Sequence, residues 1–159
     1  MALSETTLAN ELLNLSPTTS ESDVIKALAN AISAHAAEAE AITTILQSGV
    51  DLGSDAMKLA MVGISNPIDG VAAAKLGAGV RAYWAAVALG LATSFELATA
   101  IVPPLFVGLE SALQAVFDAN IANKRDLSSA TSEIAQVIHA ATKIGGQVAT
   151  PPSTVTPII

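Results

Sequence analysis

His35 and His139 are the only imidazoles in the chain, and there is no cysteine. Imidazole is the side chain best suited to proton transfer and metal ligation near neutral pH. Neither histidine has a second His or an Asp four residues on to form a helical metal pair. They fall on different predicted helices. Each is expected to sit at a helix boundary or to make one core hydrogen bond, with no catalytic or metal role.

The acids are no more promising. Glu38 and Glu40 are two apart on a helix and point to different faces. Asp51 and Asp55 lie between Gly49 and Gly53 and beyond, in a stretch that reads as a loop. Their spacing lacks the alternating oxygen donors of a calcium loop, so they are expected to be loop and cap acids. The run LGAGV at 76–80 clusters glycines, but no strand precedes it and the spacing of a dinucleotide loop is incomplete. Arg81 stands beside Tyr83 and Trp84, yet sequence neighbours on a helix do not face one another. Tyr83 and Trp84 are expected to be core or interface anchors. The residues imply no enzyme, no cofactor, no metal and no small-molecule substrate.

What remains is scaffold. Hydrophobic residues make up 52% of the 159, aromatics only 3%. Alanine and small aliphatics therefore dominate, and such side chains let helices approach closely. Net charge is −7. Residues 1–55 hold eight acids and one base, whereas residues 56–159 hold six of each. An acidic, lysine-poor surface repels phosphate, which argues against direct nucleic-acid binding. The uncharged run AYWAAVALGLATSF has fourteen residues, where a membrane span needs about 20. A buried core helix is the expectation there. Residues 1–20 lack the basic start and apolar run of a secretory signal.

Periodicity predicts six helices. The first runs from Ser4, as cap, to about Leu15. The second runs from about Glu21 to Ser48 behind Ser20, with Val24, Leu28, Ile32, Ala36, Ala39, Ile42 and Leu46 as its stripe and Gly49 as its stop. A short third helix starts near Ser54 and carries Met57, Met61 and Ile64. The turn SNPIDG follows. The fourth runs from about Ile68 to Leu91, and Gly77 and Gly79 inside it point to a close helix crossing or a bend. Residues 93–102 read as irregular or extended, because Pro103 disfavours helical geometry at Val102. A fifth helix, with Pro104 in its first turn, reaches about Asn123 and turns Leu105, Leu109, Leu113, Val116, Phe117 and Ile121 inward. The sixth, capped by Ser128 or Ser129, covers about Ser128 to Ile144, with Ile134, Val137, Ile138, Ala141 and Ile144 as its stripe.

The expected fold is all-α, a helical bundle of four long and two short helices over residues 1–146. An extended, proline-rich C-terminal arm follows over 147–159. No charged residue follows Lys143. The prolines restrict the tail, and Val148, Val155, Ile158 and Ile159 are ill suited to water. They are interface candidates for a groove on the same bundle or on a neighbour.

Several stretches in order carry a resemblance: MALSETTLANELLNL, DVIKALANAISAHAAEA, GAGVRAYWAAV, VPPLFVGLESALQAVFDAN and SEIAQVIHAATKIGGQVATPP. Together they resemble small structural proteins of tailed bacteriophages, over most of the chain and by style and order. The resemblance implies a virion subunit, assembled in the host cytoplasm as a homo-oligomer with other virion proteins. It points to the head–tail neck or the tail, with a capsid decoration protein as the alternative. A membrane-active protein that inserts residues 82–106 as a hairpin is a more distant alternative.

Overall fold

The structure is a computed structural model. It describes residues 3–14, 20–38, 47–94, 100–102, 104–124, 126–144, 147–150 and 154–157. Among the described residues six helices carry the core: α1 (Glu5–Leu12), α2 (Glu21–Ala37), α3 (Gln47–Ala60), α4 (Val71–Ser94), α5 (Leu109–Asn123) and α6 (Leu127–Thr142). Three short strands complete it: β1 (Ala100–Val102), β2 (Gln147–Thr150) and β3 (Thr154–Pro157). The helical expectation stands, with the sheet as an addition.

The first two helix starts form as their sequences predict. Ser4 Oγ accepts from Thr7 N at 3.2 Å, and Ser20 Oγ accepts from Asp23 N at 3.3 Å. Each satisfies one backbone donor left free by the first helical turn. Leu8 and Leu12 are buried on α1, and Ile25, Leu28, Ile32 and Ala36 on α2. Ile25 takes the inward place expected of Val24, which is half-buried. Leu15, Ala39, Ile42 and Leu46 lie outside the described residues.

The expected stop at Gly49 is not one. Gly49 and Gly53 both lie inside α3, which runs antiparallel to α4 and makes with it the most extensive helix contact in the molecule. The reason is steric. A Cβ on Gly53 would stand 2.7 Å from Val87 Cγ2 and 2.9 Å from Tyr83 Cε2. One on Gly79 would stand 2.7 Å from Met61 Cγ. Close approach thus offsets the helix penalty of about 1 kcal/mol per glycine. Of the two readings of the α4 glycines, the close crossing is the one adopted.

The turn between α3 and α4 holds Gly63 and Gly70 at positive φ, and Asn66 Oδ1 accepts from Ile68 N at 3.0 Å. This delays α4 to Val71. Helix α5 likewise starts at Leu109, not near Pro104, because Phe106 (φ 48°) and Gly108 (φ 72°) are left-handed. Leu105 and Ile121, expected inward, are exposed, while Leu109 and Leu113 are buried. The α6 cap is Asp126, whose Oδ1 accepts from Ser129 N at 2.8 Å, in place of Ser128 or Ser129. On α6, Ile138 and Ala141 face the core with Ala135 and Thr131, and Ile144 is exposed.

Ala100–Val102 is extended, as residues 93–102 were expected to be in part. It is an edge strand of an antiparallel sheet ordered β1-β2-β3. The expected arm over 147–159 is described at Gln147–Thr150 and Thr154–Pro157. Its two described pieces are extended, and they pair with each other (Ala149 opposite Val155) and β2 pairs with β1 (Val148 opposite Ile101). Leu105 N donates to Ile144 O at 2.9 Å, tying the segment after β1 to the residues just before β2.

Candidate functional site

Helices α1, α2 and α6 meet around the two histidines. Three residues beyond Ile32, His35 belongs to the buried stripe of α2 and has no exposed surface. His139, one turn before the end of α6, is half-buried. His35 Nε2 lies 3.0 Å from His139 Nδ1, and the rings stand edge to face with centroids 5.3 Å apart. His35 Nδ1 has no hydrogen-bond partner.

Burial lowers the His35 pKa to about 4, with the charges of His139 and Lys143 adding to the effect. Burial also lowers that of His139, helped by Lys143 and opposed by Glu5. Both imidazoles are therefore neutral at pH 7. One N–H must then point from ring to ring. If His35 Nε2 donates, the unpartnered Nδ1 is only a lone pair. The opposite tautomer would bury a free N–H, which is the dearer choice. The pair thus reads as His35 donating to His139. Beside it, Thr7 Oγ1 donates to Glu38 Oε1 at 2.8 Å, a second polar link between α1 and α2.

The expectation of one hydrogen bond per histidine matches this geometry; that each is the other's partner is not visible at a separation of 104 residues. Among the described residues, no three His, Asp or Glu side chains are grouped to hold a metal ion.

A second polar cluster joins α4 to α5. Arg81 grips Glu110 with two bonds, Nε to Oε1 at 2.7 Å and Nη2 to Oε2 at 2.9 Å. It also donates to the carbonyls of Leu105 at 3.1 Å and Phe106 at 2.5 Å. The guanidinium lies 6.0 Å from the Phe106 ring centre. Hydrogen bonding to Arg81 lowers the Glu110 pKa, and that to Glu110 raises the Arg81 pKa. The fork holds the left-handed Phe106 in place, so Arg81 is a positioning residue for the α4–α5 connection. Its partner is Phe106, not Tyr83 or Trp84.

Of the interface candidates, Tyr83 and Trp84 are core residues, 0% and 2% exposed. Their rings meet edge to face at 5.7 Å, and burial pushes the Tyr83 phenol up to about 12. Their contacts come from within the chain. Val148 and Val155 stand on β2 and β3. Ile158 and Ile159 lie outside the described residues.

The surface carries apolar material the sequence did not single out. Between α5 and α6, Val107, Leu109, Ala112, Val137, Ala141 and Ile144 line a shallow groove of about 260 Å³. Val107 is 75% exposed on its rim. A larger cleft of about 430 Å³ separates α4 from α5 at Gly70, Ala74, Gln114 and Asp118. There Gln114 Nε2 donates to Asp69 at 2.9 Å and Asp118 at 2.7 Å, so the polar groups at its mouth satisfy one another. No helix among the described residues is long and apolar enough to cross a membrane. Compared with protein families, curated proteins and solved structures, the chain matches none.

Proposed function

We propose that this chain is a structural subunit that works by assembling with copies of itself and with other proteins, as part of a tailed-phage virion. The apolar groove between α5 and α6 carries the assembly part of this reading. It exposes Val107 and Ile144, with exposed Leu105 bonded to Ile144 through the main chain, near a sheet whose outer strand β3 has one unpaired edge among the described residues. Clustered apolar side chains on a surface favour association, and a strand edge can add main-chain hydrogen bonds to it. The virion assignment comes from the sequence resemblance, with the neck or tail as the preferred place and capsid decoration as the second.

Light scattering of the purified protein over a range of concentrations tests the assembly reading. The wild type should form a defined oligomer, and Val107→Glu should dissociate it while leaving the helical circular dichroism unchanged. Deleting Gln147–Ile159 should weaken assembly and keep the bundle folded. A wild type that stays monomeric, alone and with its neighbouring gene products, would overturn the proposal. Mass spectrometry of purified particles tests the virion assignment separately.

A further inference from the structure

We propose that the His35–His139 contact is an acid-operated latch, which holds α1 and α6 on α2 at neutral pH and releases that seam when protonated. The argument starts from donor and acceptor counts. In the neutral pair, one N–H fills the 3.0 Å gap between the rings, and the other buried nitrogen of His35 is a bare lone pair. A proton added at His139 Nδ1 sets two N–H groups against each other. The pair can escape only if His35 shifts its own proton to Nδ1, where a buried N–H then meets no acceptor. A proton added at His35 Nδ1 instead buries a cation with no counter-ion bonded to it. Every route leaves a penalty at the seam that opening to water removes.

The charged surroundings do not rescue the protonated pair. From α6, Lys143 adds positive charge that disfavours protonation of both rings. From α1, Glu5 favours protonation of His139 alone. From α2, Glu38 accepts from Thr7 through Oε1 while its buried Oε2 has no partner, and it is not among the charges that shift either ring. His35 is the more sensitive half because it is wholly buried, and its contacts join α2 to α6, against which α1 also packs. The α3–α4 hairpin has no histidine, so it carries no comparable trigger.

Hydrogen exchange on the full chain tests the latch. For a group moving from about 4 folded to 6.5 unfolded, α1 and the end of α6 should exchange about 20-fold faster at about pH 5 than at neutrality, after correction for the intrinsic rate. Protection in α3 and α4 should be retained. In His35→Phe the excess acid sensitivity of α1 should fall to what His139 alone contributes. Imidazole resonances of the wild type supply a second readout that needs no variant: His35 should stay neutral until α1 opens. If His35 titrates near 6.5 with α1 still protected, or if α1 and the α3–α4 hairpin lose protection together, the latch is wrong.

Discussion

The α3–α4 hairpin and the α1–α2–α6 junction bury similar kinds of helix face by different means. In the hairpin, glycines remove side chains so that backbones close up, and Tyr83, Trp84, Val87, Met57 and Met61 fill the space around them. At the junction, apolar packing by Leu8, Leu12, Ile32 and Ile138 surrounds a histidine pair and a Thr–Glu bond. Shape complementarity has no protonation state. A hydrogen bond between two imidazoles does. One half of the core is therefore indifferent to acidity over the range in which the other half responds.

The comparison breaks most sharply at Trp84. Trp84→Ala should destabilise the fold by about 3–5 kcal/mol, because it empties the largest fully buried side chain of the core. Urea unfolding at neutral pH and at about pH 5.5 should give the same increment, since no titrating group is lost with the ring. The next effect belongs to the junction. The His35 pKa is depressed in the fold, so the unfolded chain binds more protons below 6.5. Stability is complete above that value and falls as pH drops toward about 4, by about 3 kcal/mol in all. Glu110, whose pKa is also lowered, adds acid sensitivity only below its ordinary range near 4.5, so the histidine effect stands alone from 6.5 down to there. Stability curves of wild type and His35→Phe should differ in slope over that interval. The smallest effect sharpens the hairpin itself. Gly53→Ala should cost about 1–3 kcal/mol, more than Gly79→Ala. The added methyl at 53 meets a ring and a branched side chain, whereas that at 79 meets the unbranched side chains of Met61 and Met57. Thermal denaturation of the two variants measures the difference.

The elements built from local rules were legible in the sequence. Ser4 and Ser20 cap as their positions imply, Leu28, Ile32 and Ala36 of the α2 stripe face inward, and the glycines of α4 mark a close crossing. The readings that shifted depend on distant partners. Gly53 reads as a loop residue until Tyr83 and Val87 are seen against it. Leu105 reads as helix until Arg81 is seen holding the carbonyls of Leu105 and Phe106. The tail reads as an extended arm for a groove on the same bundle or on a neighbour, and its pairing with β1 is not visible until the fold is seen. His35 and His139 are the strongest case, because nothing local to either predicts a contact with the other. Their chemistry was visible in the residue types, but their juxtaposition belongs to the fold.

The packing of α1 against α6 also sets an order of events during synthesis. The α3–α4 hairpin joins neighbouring segments, so it can close soon after Ser94 leaves the ribosome. Helix α1 emerges ahead of both helices it packs against: α2 follows at once, but α6 is the last of the six helices to be translated. Until then the side of α1 that α6 covers stays open, within reach of chaperones or of another nascent chain. A ribosome that stalls before Leu127 would release a chain with a finished hairpin and an open front end.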